Sequence, residues 1–582
     1  MGAEHLEDRR MPAVITVTNL ADNLFPNDGV SLREAIIAAN SDSSVDGSAA
    51  GDGNDDTIEF APSLFGPILL GSELPITAAV TIDATALGRR ITIDAQQNGR
   101  VFNIDDPSVT NENFDVTLAG LTLTGGRTTG DNINFGDTTN SGGAVRSLTS
   151  GTLSLDLTIV RESSTRGAYA GGGALFATGD VMLTQSTLSG NKTQGATARG
   201  GGVFAFGDVT LVESSVTENR TQAIGADGGG VTTLGDVTLI ASTLSGNATS
   251  GEFADGGGIY AVGGATLVQS TVSGNDTFGD GASGGGVMAN GPVTVTQSTV
   301  TRNIAYSGSA TGGGIWSLND PIVINGSIIS GNQAGTSTTM RDIDPGAGTL
   351  EVNFSLIGPG VTPTTGVGNQ VSDVPLLAPL AENGGLTQTH LPLPGSLAID
   401  NGDPGFNVVA TPNDQRGAPF VRGFGSQVDI GAVERQSLPS GPIVVTTTDD
   451  ELNFLNSEVS LREAIALANG SAGLDTITFA NALSGRSIML TRGELTLTEA
   501  ASIDATALAE PVTVSANRQS RLLNITADVG DFTLAGLTLT NGRTVNFNTT
   551  SSDLHSGGAV RSQTTGLLTL DRTAVRDNAT QG

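Results

Sequence analysis

The 582-residue sequence predicts an all-β fold, a right-handed parallel β-helix (solenoid) of about 28 residues per coil. A short N-terminal helix caps it, and a second, partial copy follows in tandem. Three observations carry this expectation. Triple glycines end at Gly173, Gly202, Gly230, Gly258, Gly286 and Gly314, in steps of 28 or 29 residues. An asparagine keeps the same phase at Asn191, Asn219, Asn247, Asn275, Asn303 and Asn332. Between these marks lie short apolar or alternating runs with no helical period, which excludes βαβ units and leaves stacked coils of short strands.

Composition agrees. The chain has 81 Gly and is only 4% aromatic, as expected for many short strands and tight turns around a narrow aliphatic core. With 59 acidic and 27 basic side chains it carries a formal charge of −32, which disfavours nucleic acid as a partner. The absence of Cys excludes disulfides, thiol catalysis and Cys-ligated zinc. No apolar run is long enough for a transmembrane helix.

Taken in order, residues 1–13 form a polar tail, and 14–115 the N-terminal cap with the first rungs. Ser31–Ile36 opens a helix: Ser31 lies three residues before Glu34, a capping box, and Leu32, Ala35, Ile36 and Ala39 share an apolar face. Residues 116–345 hold the regular repeat, roughly eight coils. Each coil reads as an apolar strand after the glycines (Val203–Phe206), a Gly-Asp turn, an alternating strand (Val209–Val212) and a Ser-rich segment ending at Asn219, three strands in all. The inward columns are Val181, Leu183, Leu188; Val209, Leu211, Val216; and Val237, Leu239, Leu244. Stacked asparagines form an amide ladder at a bend, and Ser186, Ser214, Ser242, Ser270 and Ser298 form a second column. The glycines permit the tight turn into the next strand. Residues 346–436 form a C-terminal capping region and 437–442 a linker.

From 443 to 582 the start of the chain recurs: Ser460–Ile465 repeats Ser31–Ile36, Thr476–Ala480 repeats Thr57–Ala61, Ile503–Leu508 repeats Ile82–Leu87, and Gly557–Ser562 repeats Gly142–Ser147. Ser460 and Glu463 again make a capping box. The copy stops before its first triple-Gly coil. This predicts either a fragment of a longer protein or an open rung that stacks end-to-end on another molecule.

These residues resemble the bacterial CSLREA domain followed by right-handed β-helix repeats, with Val30 and Val459 where the family has its leading Cys. The Gly-Gly-Ala/Val/Ile and Ser-Gly-Asn repeats look like those of polymorphic outer-membrane adhesins. Residues 373–434 resemble the choice-of-anchor Q region of surface proteins, through Pro375–Leu380, Asn383–Gly385, Leu393–Asp400, Asp414–Gly417 and Asp429–Ala432. Leu6–Arg9 resembles an N-terminal motif of certain exported bacterial proteins. The resemblance implies a cell-surface or secreted protein and assigns no reaction.

Candidate chemistry is sparse. Asp180, Asp208 and Asp236 repeat at the Gly-Asp turn. They either cap their own turns or share Ca²⁺. Asp52 and Asp55, with Asp46, make an acidic loop, solvated or weakly Ca²⁺-binding. Asp400, Asp403, Asp414, Arg416, Asp429 and Glu434 suggest a salt-bridge network centred on Arg416, with a Ca²⁺ site as the alternative. Tyr169, Tyr306 and Trp316 are candidate glycan contacts. Arg199, Arg220 and Arg302 are candidate bases in different loops and phases. His390 reads as a packing residue, and His5 and His555 lie far from it in sequence. No catalytic residue is assigned. The expected function is a structural or adhesive module for glycans or cell-surface components. A polysaccharide lyase or glycoside hydrolase and a Ca²⁺-stabilised spacer are the alternatives.

Overall fold

The computed structural model describes residues 13–26, 28–53, 55–105, 113–134, 136–318, 320–335, 342–393, 395–436, 442–451, 458–470, 473–526, 530–545 and 557–581. His5, His555, the Leu6–Arg9 motif and nearly all of the 437–442 linker lie outside the described residues.

The fold is a right-handed parallel β-helix. Four sheets run along the first module: A and B with 12 strands each, C with 10 and D with 8. A representative coil places Val203–Ala205 in sheet C, Val209–Val212 in sheet A, Ser215–Thr217 in sheet B and Arg220–Thr221 in sheet D. The coil thus has four strands rather than the three expected. The fourth has two residues, too few to display an alternation, and it is formed by pairing with its neighbours above and below. Eight strands of sheet A fall between Val116 and Asn325, matching the coil count from the repeat.

Each strand pairs in register with its counterpart one coil away. Val181 meets Val209 and Val209 meets Val237; Leu183 meets Leu211 and Leu211 meets Leu239. Leu188, Val216 and Leu244 align in the same way. All nine are essentially inaccessible to solvent, each contributing roughly 2 kcal/mol of apolar burial. One continuous core runs from the first rungs to Ile357.

Two polar ladders line the bends. Asn191 Nδ2 donates to Asn219 Oδ1 (2.9 Å), Asn219 to Asn247 (3.0 Å), Asn247 to Asn275 (2.9 Å), Asn275 to Asn303 (2.9 Å) and Asn303 to Asn332 (2.8 Å). The ladder ends on Asp342, whose Oδ1 accepts from Asn332 Nδ2 at 2.8 Å. The serine column works through backbone: Ser214 N–H donates to Ser242 Oγ, and Ser242 N–H to Ser270 Oγ. The three glycines of a triplet answer different demands. Gly228 has φ +66°; a Cβ on Gly229 would lie 2.3 Å from Gly257 O; one on Gly230 would lie 3.0 Å from the ladder amide of Asn247.

Helix α1 (Leu32–Ser41) carries the predicted capping box, and its Leu32, Ala35, Ile36 and Ala39 join the core of the first rungs. Helix α2 (Leu461–Gly470) has the same cap: Ser460 N–H donates to Glu463 Oε2 and Glu463 N–H to Ser460 Oγ. Arg33, in the first turn of α1, is pinned by Asp22 at 2.6 Å and by the carbonyls of Ser72 and Glu73. The second module has its own core, from Val445 to Ala559, and sheets of five, four, three and two strands.

Residues 346–436 do more than finish the stack. Leu350–Asn353, Leu356–Ile357 and Gln370–Val371 extend sheets A and B, while residues 373–436 run back along the outer face of sheet B. Gln415 reaches Thr243 and Thr271, His390 reaches Ser273, and Ala432 N–H donates to Thr299 Oγ1. The segment is a flank as well as a cap. It docks there because sheet B points Thr and Ser hydroxyls outward. Among the described residues, no helix is long and apolar enough to cross a membrane.

Candidate functional site

The coil geometry distributes the candidate side chains along the rod. Asp180, Asp208 and Asp236 lie exposed at successive turns, and each is engaged by the coil above. Asp180 Oδ1 accepts from Asp208 N–H and Asp208 Oδ1 from Asp236 N–H, both at 2.8 Å, and Asp236 Oδ1 accepts from Gly264 N–H at 2.7 Å. The column is thus a rung-to-rung hydrogen-bond ladder, which needs no ion to hold its carboxylates in line. It ends where Gly264 replaces the Asp.

Asp52 and Asp55 lie beyond the C-terminus of α1. Asp55 lines a shallow recess of about 300 Å³ with Asn40, Asp42, Gly53 and Ala78. Asp52 lies beside the buried Asp56, which accepts its N–H at 3.3 Å. Burial first, and then neighbouring Asp52 and Asp42, raise the Asp56 carboxyl above its ordinary value. Asp46 falls in a different group. One carboxylate oxygen each from Asp46, Asp28 and Glu34 lie within 4.8 Å of one another beside the α1 cap.

The three candidate glycan contacts are not brought together. Tyr169 is a corner residue at φ +56°, and Trp316 sits in sheet C, in register with Met288. Tyr306 lies at the corner after sheet D and stacks on Phe278, with ring centroids 4.7 Å apart and planes 11° from parallel. Both rings are over 40% exposed, which makes them a surface platform. Phe278 lies 28 residues before Tyr306, so the repeat itself held the signal for the pair.

The densest chemistry lies at the loops before the triple glycines. Arg199, Asp227 and Asp255 are spaced by one period each, so Arg199 is in phase with two acids, while Arg220 and Arg302 stand in other phases, as expected. Arg199 Nε pairs with Asp227 Oδ2 at 3.1 Å, and its guanidinium lies 5.6 Å from the Tyr260 ring centre. Asp227 Oδ1 accepts from Asp255 N–H (3.0 Å), and Asp255 Oδ1 from Ser283 N–H (2.7 Å). Burial pushes Asp227 up to about 6, against the pull of Arg199. It pushes Asp255 up to about 7, with Asp227 adding to the rise. Two carboxyls that titrate near neutrality beside an Arg and a Tyr form a chemically competent cluster. Arg220 instead faces Asp276, raised by burial to about 6, and Arg302 donates to Leu377 O in the flank.

The acid-rich flank is a buried charge network. Arg416 pairs with Asp414 at 2.6 Å and lies 3.9 Å from the Phe420 ring centre. Asp414 Oδ2 also accepts from Glu434 N–H, Glu434 Oε2 from Asp429 N–H, and Asp429 Oδ1 from Asp400 N–H. Asp403 turns outward and accepts from Gly405 N–H. Sequence spacing missed Arg422, which is fully buried 3.9 Å from Glu434. Burial raises Asp429 to about 6 and Glu434 to about 8. His390 bridges flank and rod: Nδ1–H donates to Ala378 O and Nε2 accepts from Ser273 Oγ, each at 2.7 Å. Its complete burial lowers its pKa to about 3, so it packs as a neutral ring.

No family model and no curated protein matches the chain. Among solved structures it is similar to an arginine mutant of the PL6 family alginate lyase AlyGC, at 10% identity and TM-score 0.24, over 90% of this chain and 73% of that one. It is also similar to AlyGC itself, at 12% identity and TM-score 0.18, over 80% and 74% of the two chains. A likeness at this level assigns neither site nor activity.

Proposed function

We propose that the chain is a structural and adhesive β-helix module of a bacterial cell-surface or secreted protein, of the CSLREA and choice-of-anchor Q kind that its motifs resemble. The observation that supports this reading is how the repeating polar groups are used. The Asp180, Asn191 and Ser186 columns are consumed as rung-to-rung acceptors, so regularity serves the rod and not a reaction. What remains outward is a long side of the rod, beside sheet D, carrying the stacked Phe278–Tyr306 pair, suited to weak contacts with a polymer. Immobilised chain is offered polyuronates and neutral glycans with and without Ca²⁺, with soluble products assayed in parallel. Retention without products, reduced at least about tenfold by Phe278→Ala with Tyr306→Ala, is the expected result. Release of shortened or unsaturated products would overturn it.

A polysaccharide-active enzyme is the second reading, supported by the Arg199–Asp227–Asp255–Tyr260 cluster. Under it, product formation is abolished by Asp255→Asn and follows a pH profile with a limb near 7. The Asp28–Glu34–Asp46 group supports a Ca²⁺-stabilised spacer only if a chelator lowers the melting temperature in the same preparation.

A further inference from the structure

The two cap helices place matching residues in matching internal contacts. Arg33 pairs with Asp22 and donates to the carbonyls of Ser72 and Glu73; Arg462 pairs with Asp450 and donates to the carbonyls of Gly493 and Glu494. Asn40 donates to Pro75 O and accepts from Thr77 N–H; Asn469 donates to Thr496 O and accepts from Thr498 N–H. The helices differ in what lies outside them. The outer stripe of α2, formed by Arg462, Ala466, Asn469 and Gly470, is wholly buried. The corresponding stripe of α1, formed by Arg33, Ile37, Asn40 and Ser41, is half-buried to exposed. The Arg462 side chain is 1% accessible and that of Arg33 15%.

The α2 stripe is covered by the flank of the first module. Glu382 Oε2 lies 3.3 Å from Arg462 Nη1, and Asn469 Nδ2 donates to Glu382 O at 3.4 Å. A Cβ on Gly470 would meet Arg416 Nη1 at 2.9 Å, Asn383 O at 3.1 Å and Phe420 Cε1 at 3.2 Å. None of these atoms yields easily. Arg416 is fixed by Asp414 and Phe420, and Asn383 contributes backbone. Ala466, one turn before Gly470 on the same stripe, is fully buried, so a larger side chain there overpacks its surroundings. The α1 stripe keeps the Arg and Asn of this contact but has Ile37 and Ser41 in place of the two small residues.

We infer that the outer stripe of a cap helix is a docking face for the flank segment 382–420 of the module before it, and that two positions decide its use. Ala466 and Gly470 admit the segment, which fixes the second module to the first. Ile37 and Ser41 exclude it, so α1 rejects a second copy of the same segment. The partner that fits the face is therefore another such module, admitted by size.

The full-length chain carrying Ala466→Ile and Gly470→Ser tests this. The substitutions write the residues of α1 into α2, a combination that already caps a β-helix, so the cap still folds. The expected result is a larger radius of gyration in small-angle scattering and at least about tenfold faster amide exchange across residues 382–385, with unchanged circular dichroism. Mixing this variant with a second one, Ile37→Ala with Ser41→Gly, supplies a free flank segment and an opened α1 face, and a one-to-one complex supports the inference. Scattering and exchange profiles that superimpose on the parent chain, with no complex in the mixture, would overturn it.

Discussion

Asn247 makes its hydrogen bonds where water cannot replace them. Its Oδ1 accepts from Asn219 N–H and Nδ2, and its Nδ2 donates to Val216 O and Asn275 Oδ1. Asn247→Ala strands several of these groups in a fully buried position and is expected to cost about 3 kcal/mol in urea unfolding, since each buried orphan costs about 1–3 kcal/mol. The ladder's last member behaves in the opposite way. Asp342 is raised to about 6, by burial first, and among the described residues its Oδ2 has no hydrogen-bond partner. A raised carboxyl binds its proton more tightly in the folded state. Its contribution to stability therefore falls as pH climbs from the ordinary 3.8 to about 6. Asp342→Asn removes that loss and is expected to stabilise the rod above pH 6 by on the order of 1 kcal/mol in thermal unfolding. The asparagines were legible from their spacing. Asp342 was not, because it follows Asn332 by ten residues, out of phase with the 28-residue period.

At the scale of elements, the cap helices and aliphatic columns were predictable because each rests on a local pattern: a capping box, an i/i+3/i+4 face, a period of two. The flank was not. Its dense acids suggested a network around Arg416, which is present, but Arg422 and the docking onto sheet B depend on which sheet face happens to lie opposite. That network makes the flank pH-sensitive. Glu434, raised by burial to about 8 from an ordinary 4.5, holds a proton in the folded state that the unfolded chain has lost. Stability therefore declines as pH rises from about 4.5 to about 8 and is level above that. Glu434→Gln is expected to flatten this slope, by on the order of 2 kcal/mol across the window, measured as melting temperature against pH. A slope identical to that of the parent chain would assign the pH dependence to other groups, with Asp429 the next to test.

The whole molecule is a stack in which each coil meets only its neighbours, so removing one complete coil leaves every column in phase. Deleting residues 175–202 joins Ala174 to Val203, which takes the register place of Leu175. This rod is expected to melt cooperatively within a few degrees of the parent chain. Deleting 259–286 removes an equally regular coil, yet that coil lies under the flank and carries Thr271 and Ser273, the partners of Gln415 and His390. This deletion is expected to lower the melting temperature by about 5–10 °C more than the first. Equal losses in calorimetry would mean that the flank contributes nothing to the stability of the rod.

The sequence by itself determined the coil, its period, its inward columns, its amide ladder and its two caps. Each of these is a local pattern repeated until chance is excluded, and stacking only multiplies it. The tertiary structure alone decided two things. It doubled residues 373–436 back along sheet B, and it let the flank reach α2 and not α1. Those outcomes depend on surfaces far apart in sequence meeting at van der Waals distance. There the small size of the residues at positions 466 and 470 bears on what no period can encode.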